Sequence, residues 1–158
     1  MDGVTTGRLL LPPWEDRFEK DLARLSSDER VMRYSVHGVW SPEYTAQRHA
    51  EAIRHWKQHG FGLRAIICAR NGGFLGLASV SWLRITVPGI DRPAVDLGWW
   101  VEPEAWGYGV ATEAVTAILK DAFHRTPASY AVANCHPDNV ASQRIMTKLG
   151  MTRPEQSP

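Results

Sequence analysis

Two spacings of apolar residues alternate along the chain. Short continuous runs at Gly7 to Leu11, Phe61 to Ala69, Phe74 to Leu83, Val95 to Val101 and Ser129 to Cys135 read as strands. Between them, apolar residues fall three or four apart. Trp14, Phe18, Leu22 and Leu25 mark one helix, and Asp28 to Tyr34 adds a shorter one. Ser41-Pro42-Glu43 opens the next, with a capping serine, a first-turn proline and an acid near the helix dipole. Ala46, Ala50, Ile53 and Trp56 or Lys57 line one face of it, and Gly60 ends it. Asn71-Gly72-Gly73 is a hairpin turn. Thr86 to Pro93 carries two prolines and a glycine and reads as a loop. Val110 to His124 has a single polar stripe, Thr112, Glu113, Thr116 and Lys120, so a wide face should be buried against a sheet. Asp138 or Asn139 caps a last helix, which Gly150 closes.

The run from Val95 to Cys135 is strand, helix, strand. Such a unit makes a parallel pair with a right-handed crossover. The earlier strands are joined by tight turns and should pair antiparallel. The expected fold class is α/β of the α+β kind: one mixed, mostly antiparallel sheet flanked by helices, in a single domain over residues 1–158.

Composition narrows the function classes. A net charge of +1 gives no electrostatic case for nucleic acid or an anionic membrane. No apolar run nears the roughly 20 residues that span a bilayer, and Met1-Asp2-Gly3-Val4 does not open a signal peptide. A cytoplasmic location is the expectation. Cys68 and Cys135 both sit in apolar runs and read as reduced core residues. Seven tryptophans suggest a groove as well as a core.

One stretch carries chemistry. A strand ends at Val101, Glu102-Pro103-Glu104 turns the chain, and Trp106-Gly107-Tyr108-Gly109 opens straight into a helix. Glycines allow positive φ and close backbone approach. The first helical N–H groups lack internal partners and the dipole is positive there. A phosphate-bearing cofactor should therefore dock at residues 107 to 112. A dinucleotide fingerprint is incomplete, because Thr112 stands at the third glycine and Asp121 falls inside the helix. No Gly-Lys-Ser/Thr is present for a Walker loop. The six histidines show no metal-ligand spacing; His55 and His59 lie four apart but lack a third ligand, so no metal is expected.

Leu97-Gly98-Trp99-Trp100-Val101, with Glu102-Pro103-Glu104-Ala105-Trp106-Gly107-Tyr108-Gly109-Val110-Ala111-Thr112-Glu113-Ala114, resembles the GCN5-related N-acetyltransferase (GNAT) superfamily. The nearest branch is the ribosomal-protein-alanine (Rim-type) one. His136-Pro137-Asp138-Asn139-Val140-Ala141-Ser142 and Lys148-Leu149-Gly150-Met151 resemble its later segments, and Arg8-Leu9-Leu10-Leu11 and Val31-Met32-Arg33-Tyr34 its opening. The resemblance implies acetyl-CoA as acyl donor, held in the splayed parallel pair. Backbone N–H groups of Gly107, Tyr108, Gly109, Val110, Ala111 and Thr112, opened by Trp106, would hold its pyrophosphate. Trp99, Trp100 and Val101 would pair by backbone with the pantetheine arm, and an N–H near Val101 would polarise the thioester carbonyl. Asn139 and Ser142 would contact the arm from the last helix, and the Trp40 loop would lie near the acceptor.

The chain departs from the pattern at three places. Tyr108 stands where a basic residue is common, and Met146 where many relatives carry a tyrosine acid, which leaves Ser142 to protonate the thiolate. The family continues past Gly150 with two more strands, whereas here the polar Thr152 to Pro158 follows. An apparently missing hairpin implies an uncovered edge on the fifth strand unless a partner or a loop covers it, which points either to self-association, as in a homodimer, or to a shortened chain.

Acyl transfer to an amine needs a neutral nucleophile. A lysine amine has a pKa of about 10.4 and an α-amine about 8, so the latter needs less help. Asp96 lies on the strand before the loop and Glu102 at its end, and alternation puts 96, 98, 100 and 102 on one face. Asp96 is the first candidate base and Glu102 the second. The expected function is an acetyl-CoA-dependent N-acetyltransferase acting on a protein N-terminus or a small amine. The alternative is a catalytically weak acyl-CoA-binding sensor on the same fold.

Overall fold

A computed structural model describes residues 2–153. Six strands form one sheet in sequence order: β1 (Val4–Thr5), β2 (Leu9–Leu11), β3 (Arg64–Cys68), β4 (Phe74–Trp82), β5 (Ala94–Val101) and β6 (Tyr130–Ala133). Neighbours pair antiparallel from β1 to β5, and β5 pairs parallel with β6. Helices α1 (Glu19–Ser26), α2 (Glu29–Met32) and α3 (Pro42–His59) come between β2 and β3. Helix α4 (Val110–Arg125) is the crossover from β5 to β6, and α5 (Val140–Lys148) follows β6. Much of the expectation about Thr152 to Pro158 lies outside the described residues.

Local signals explain most boundaries. The Ser41 hydroxyl accepts from Tyr44 N–H at 3.1 Å and starts α3, while Gly60, at φ 73°, ends it. Asn139, rather than Asp138, caps α5 by accepting from Ser142 N–H. The helix expected from Trp14 begins later. Trp14 stays extended beside β3, and a short 3-10 turn at Asp16–Phe18 leads into α1. Strand β1 has no sequence signal beyond two residues and exists because it pairs with β2.

The sheet has two different faces. On one, Val95, Leu97 and Val101 pack against Val110, Ala111, Ala114, Val115 and Ile118 of α4, all at most 9% exposed. The small alanines let α4 lie close and seal this face. On the other face, Ala65, Ile67 and Leu77 meet Trp14, Phe18, Leu22 and Leu25, with Ile53 and Trp56 of α3 packed alongside. No local pattern in the chain announces the buried cation found here. Arg64 is 2% exposed, and donates to the Leu11 carbonyl at 2.6 Å and to Asp121 at 3.3 Å. The Trp56 ring lies 4.8 Å from its guanidinium. Burial pushes the Arg64 guanidinium down from its usual range, against the pull of Asp121. Cys68 and Cys135 are both free, but they are half-buried rather than core residues.

Candidate active site

The parallel pair comes apart along its length. β6 pairs with β5 from Ala94↔Tyr130 to Leu97↔Ala133 and then leaves it, while β5 continues along β4 to Val101↔Gly76. Hydrogen bonding alternates along an antiparallel strand. Glu102 N–H donates to Leu75 and Leu83 N–H to Ala94, so the even residues of β5 turn their backbone groups to β4. The odd residues point the other way. Trp99 N–H and C=O and Val101 N–H therefore face the opening, unpaired among the described residues. The Val101 carbonyl is taken by the Trp106 indole, which donates to it at 2.8 Å.

This parity corrects one expectation. Trp100 does not offer its backbone to the gap. It pairs with Leu77, and its ring lies on the opposite sheet face against Trp40, at 5.0 Å and 68°. Trp40 in turn meets Tyr44 at 5.0 Å. The segment after α2 also reaches the segment after β6, where the rings of Tyr34 and His136 stack at 5.3 Å. These contacts join residues far apart in sequence, and no local pattern announced them.

At the end of β5 the chain makes a 3-10 turn at Pro103–Ala105 and enters α4 through Gly107 (φ 86°) and Gly109 (φ 75°). Gly109 is the N-cap and supplies no side-chain acceptor, so the first-turn N–H groups at Val110, Ala111 and Thr112 stay open. Tyr108 and Trp106 are exposed around the loop. From the bend just before β2, Arg8 donates through Nη2 to the Tyr108 carbonyl at 2.8 Å and through Nε to Glu113 at 2.8 Å. Burial alone would raise the Glu113 carboxyl, but Thr6 and Arg8 bond to it and hold it below its usual value.

The two candidate bases separate. Glu102 is gripped by Arg24, which donates from Nε at 2.9 Å and from Nη2 at 2.5 Å, on the side of a surface groove lined also by Arg30 and Glu104. That ion pair gives Glu102 Oε1 a cationic partner. Asp96 has no ionic partner among the described residues. It is half-buried on the face opposite α4, beside Gly98 and across from Ser81 and Ser79, all of them half-exposed. Desolvation raises its carboxyl above the usual aspartate value, and a backbone bond from Leu97 opposes this. Gly98 leaves a depression here: an added Cβ would meet the Ser79 hydroxyl at 3.0 Å. The centre of this face is thus small, polar and open, while the α4 face is closed.

On α5, Asn139 spends its side-chain oxygen on the cap, and the Ser142 hydroxyl has no partner among the described residues. Asp16, Glu19 and His49 bring ligand-type atoms within 4.8 Å of one another. Trp14 Nε1–H donates to His49 Nδ1 at 2.9 Å, which puts the ring proton on Nε2, facing Asp16 at 3.1 Å. That tautomer turns a donor, not a ligand lone pair, toward the carboxylates. No helix of the described residues is long and apolar enough to cross a membrane.

Known proteins resemble the chain in sequence and in fold. The chain is 27% identical over 150 residues to the "Uncharacterized N-acetyltransferase YnaD" of Bacillus subtilis (strain 168), covering 95% of this chain and 82% of that protein. The fold matches an acetyltransferase (GNAT family) from Bacillus anthracis with a TM-score of 0.78 and 26% identity, over 96% of this chain and 84% of that one. It also matches the fold of RimL, a ribosomal L7/L12 α-N-protein acetyltransferase in complex with coenzyme A, with a TM-score of 0.74 and 19% identity, over 93% and 82%. The profile of the acetyltransferase (GNAT) domain matches residues 8–152. With the strand, loop and helix of the site inside that span, the chain belongs to the GNAT acetyltransferase family.

Proposed function

We propose that the chain transfers an acetyl group from acetyl-CoA to a primary amine, on a protein N-terminus or a small molecule, directly and without an acyl-enzyme. The observation that carries this reading is the combination of an open β5 edge with a half-buried Asp96 that has no ionic partner among the described residues, on the accessible sheet face. A pantetheine arm has amide groups at strand-like spacing, and Trp99 and Val101 offer backbone groups for it. The open N–H groups at the start of α4 suit its pyrophosphate. Acetyl-CoA supplies the acetyl group as a thioester, whose carbonyl carbon the amine attacks.

The chain's own residues have three tasks. A backbone N–H of Trp99 or Val101 donates to the carbonyl oxygen as negative charge develops there. Asp96 accepts the amine proton as the C–N bond forms; from 96 to 99 the strand advances by about 10 Å, so a water between them completes the path. The Ser142 hydroxyl donates to the sulfur as the C–S bond breaks. A carboxylate raised above its usual value, with no cation beside it, is a stronger base than a free aspartate. An α-amine, already partly neutral near pH 8, asks less of it than a lysine does.

Mass spectrometry of acetyl-CoA with a panel of peptides bearing free N-termini and of small amines tests the proposal. Acetylated product with release of free CoA supports it. Tight CoA binding without turnover on any acceptor would favour the acyl-CoA sensor instead.

A further inference from the structure

The loop between Gly107 and Gly109 carries Tyr108 and so has no cation of its own. Arg8 comes to it from 100 residues away. Its guanidinium lies against Gly109, where an added Cβ would be 3.7 Å from Nη2. The hydrogen bond is to the Tyr108 carbonyl. In a trans peptide the carbonyl and the following N–H point in opposite directions. By holding the Tyr108 oxygen on the β2 side, Arg8 turns the Gly109 N–H to the other side. Arg8 also engages Glu113, an acid in the first turn of α4 that would otherwise repel an incoming anion. Its side chain is 52% exposed, and its Nη1 has no partner among the described residues.

We propose that Arg8 is the positioning residue of the pyrophosphate loop. Resting on the CoA-binding reading above, it aims the Gly109 N–H and neutralises Glu113, placing beside the loop, from just before β2, a guanidinium where Tyr108 offers no cation. Its effect is confined to the diphosphate end of the ligand. Arg8 has no part in the β5 edge that would take the pantetheine arm.

The test is a titration of the full chain with CoA and, separately, with pantetheine, which lacks the diphosphate and the nucleotide. Arg8→Ala should raise the Kd for CoA about tenfold, the scale of one charge-assisted hydrogen bond. It should leave the Kd for pantetheine unchanged. The salt dependence of CoA binding should flatten in the variant, since one cation near the phosphates is gone. Arg8→Lys, which keeps the charge but loses the two-pronged grip, should fall between. Wild-type affinity for CoA in Arg8→Ala would overturn the proposal, and so would an equal loss for both ligands, the mark of a merely structural role. If the wild-type chain binds no CoA, the CoA-binding reading itself falls, an outcome separate from wild-type binding that Arg8→Ala leaves unchanged.

Discussion

Replacing Gly76 by alanine tests whether β4 sets the position of the open edge. Gly76 lies on β4 directly behind Val101. An added Cβ would stand 2.3 Å from the Trp100 carbonyl oxygen and 2.9 Å from Val101 Cα. Both are backbone atoms of β5, so no rotamer relieves the contact. An ordinary C···O approach is about 3.3 Å, and the strands must part by about 1 Å here. The neighbouring bond, Glu102 N–H to Leu75 at 2.8 Å, would then leave hydrogen-bond range. One or two lost bonds at about 1 kcal/mol each, plus about 1–3 kcal/mol of overpacking, give a destabilisation of about 2–5 kcal/mol. For a domain of this size that lowers Tm by about 10 °C. Chemical and thermal unfolding read the first effect. CoA titration well below Tm reads the second, a loss of about tenfold as the Trp99 and Val101 N–H groups shift. Unfolding at the wild-type midpoint with unchanged CoA affinity would refute the packing argument and the role of this edge together.

Other perturbations separate the parts. Asp96→Asn should cut kcat about a hundredfold or more with little change in CoA affinity, read by product formation and calorimetry. In the wild type, kcat/KM should fall as pH drops through a value above the usual aspartate pKa, because the ionised form is the base. The stability effect has the opposite sense. The folded chain holds this proton more tightly than the unfolded one, so stability is greatest below the usual aspartate pKa and is lost as pH rises through the raised value. Asp96→Asn should therefore unfold at a higher denaturant concentration than wild type at neutral pH, and a lower midpoint would contradict the desolvation account. Gly109→Trp should abolish CoA binding in a titration and cost about 1–2 kcal/mol of stability, because φ is 75° at that position. Arg64→Ala should cost about 3–5 kcal/mol in chemical denaturation, since it strips the Leu11 carbonyl and Asp121 of a buried partner and empties the space over Trp56.

What could be read from the chain follows the range of the signal. The glycine loop, the strand before it and the helix after it are local, and all three stand where the spacing predicts them. Asp96 was legible too, because alternation alone puts it on the face of Gly98 and Trp100. Glu102 looked equivalent by the same alternation. Arg24, 78 residues away, gives it an ion pair that the alternation could not show. The backbone parity that turns Trp100 toward β4 depends on the β4–β5 register, which no sequence pattern fixes. Arg8 read only as part of an opening strand, and nothing in Thr6-Gly7-Arg8 indicates Tyr108 or Glu113 as partners. Strand β1 is too short for any periodicity to mark it.

The central claim is that the open edge of β5 and the start of α4 form one acyl-CoA site. Amide NMR with CoA titrated into the chain tests it most directly. The account predicts saturable shifts, with one common Kd, at the N–H groups of Trp99, Val101, Gly109, Val110, Ala111 and Thr112, and little change at Trp100, whose N–H is spent on β4. Shifts centred elsewhere, or none at these N–H groups, would contradict it.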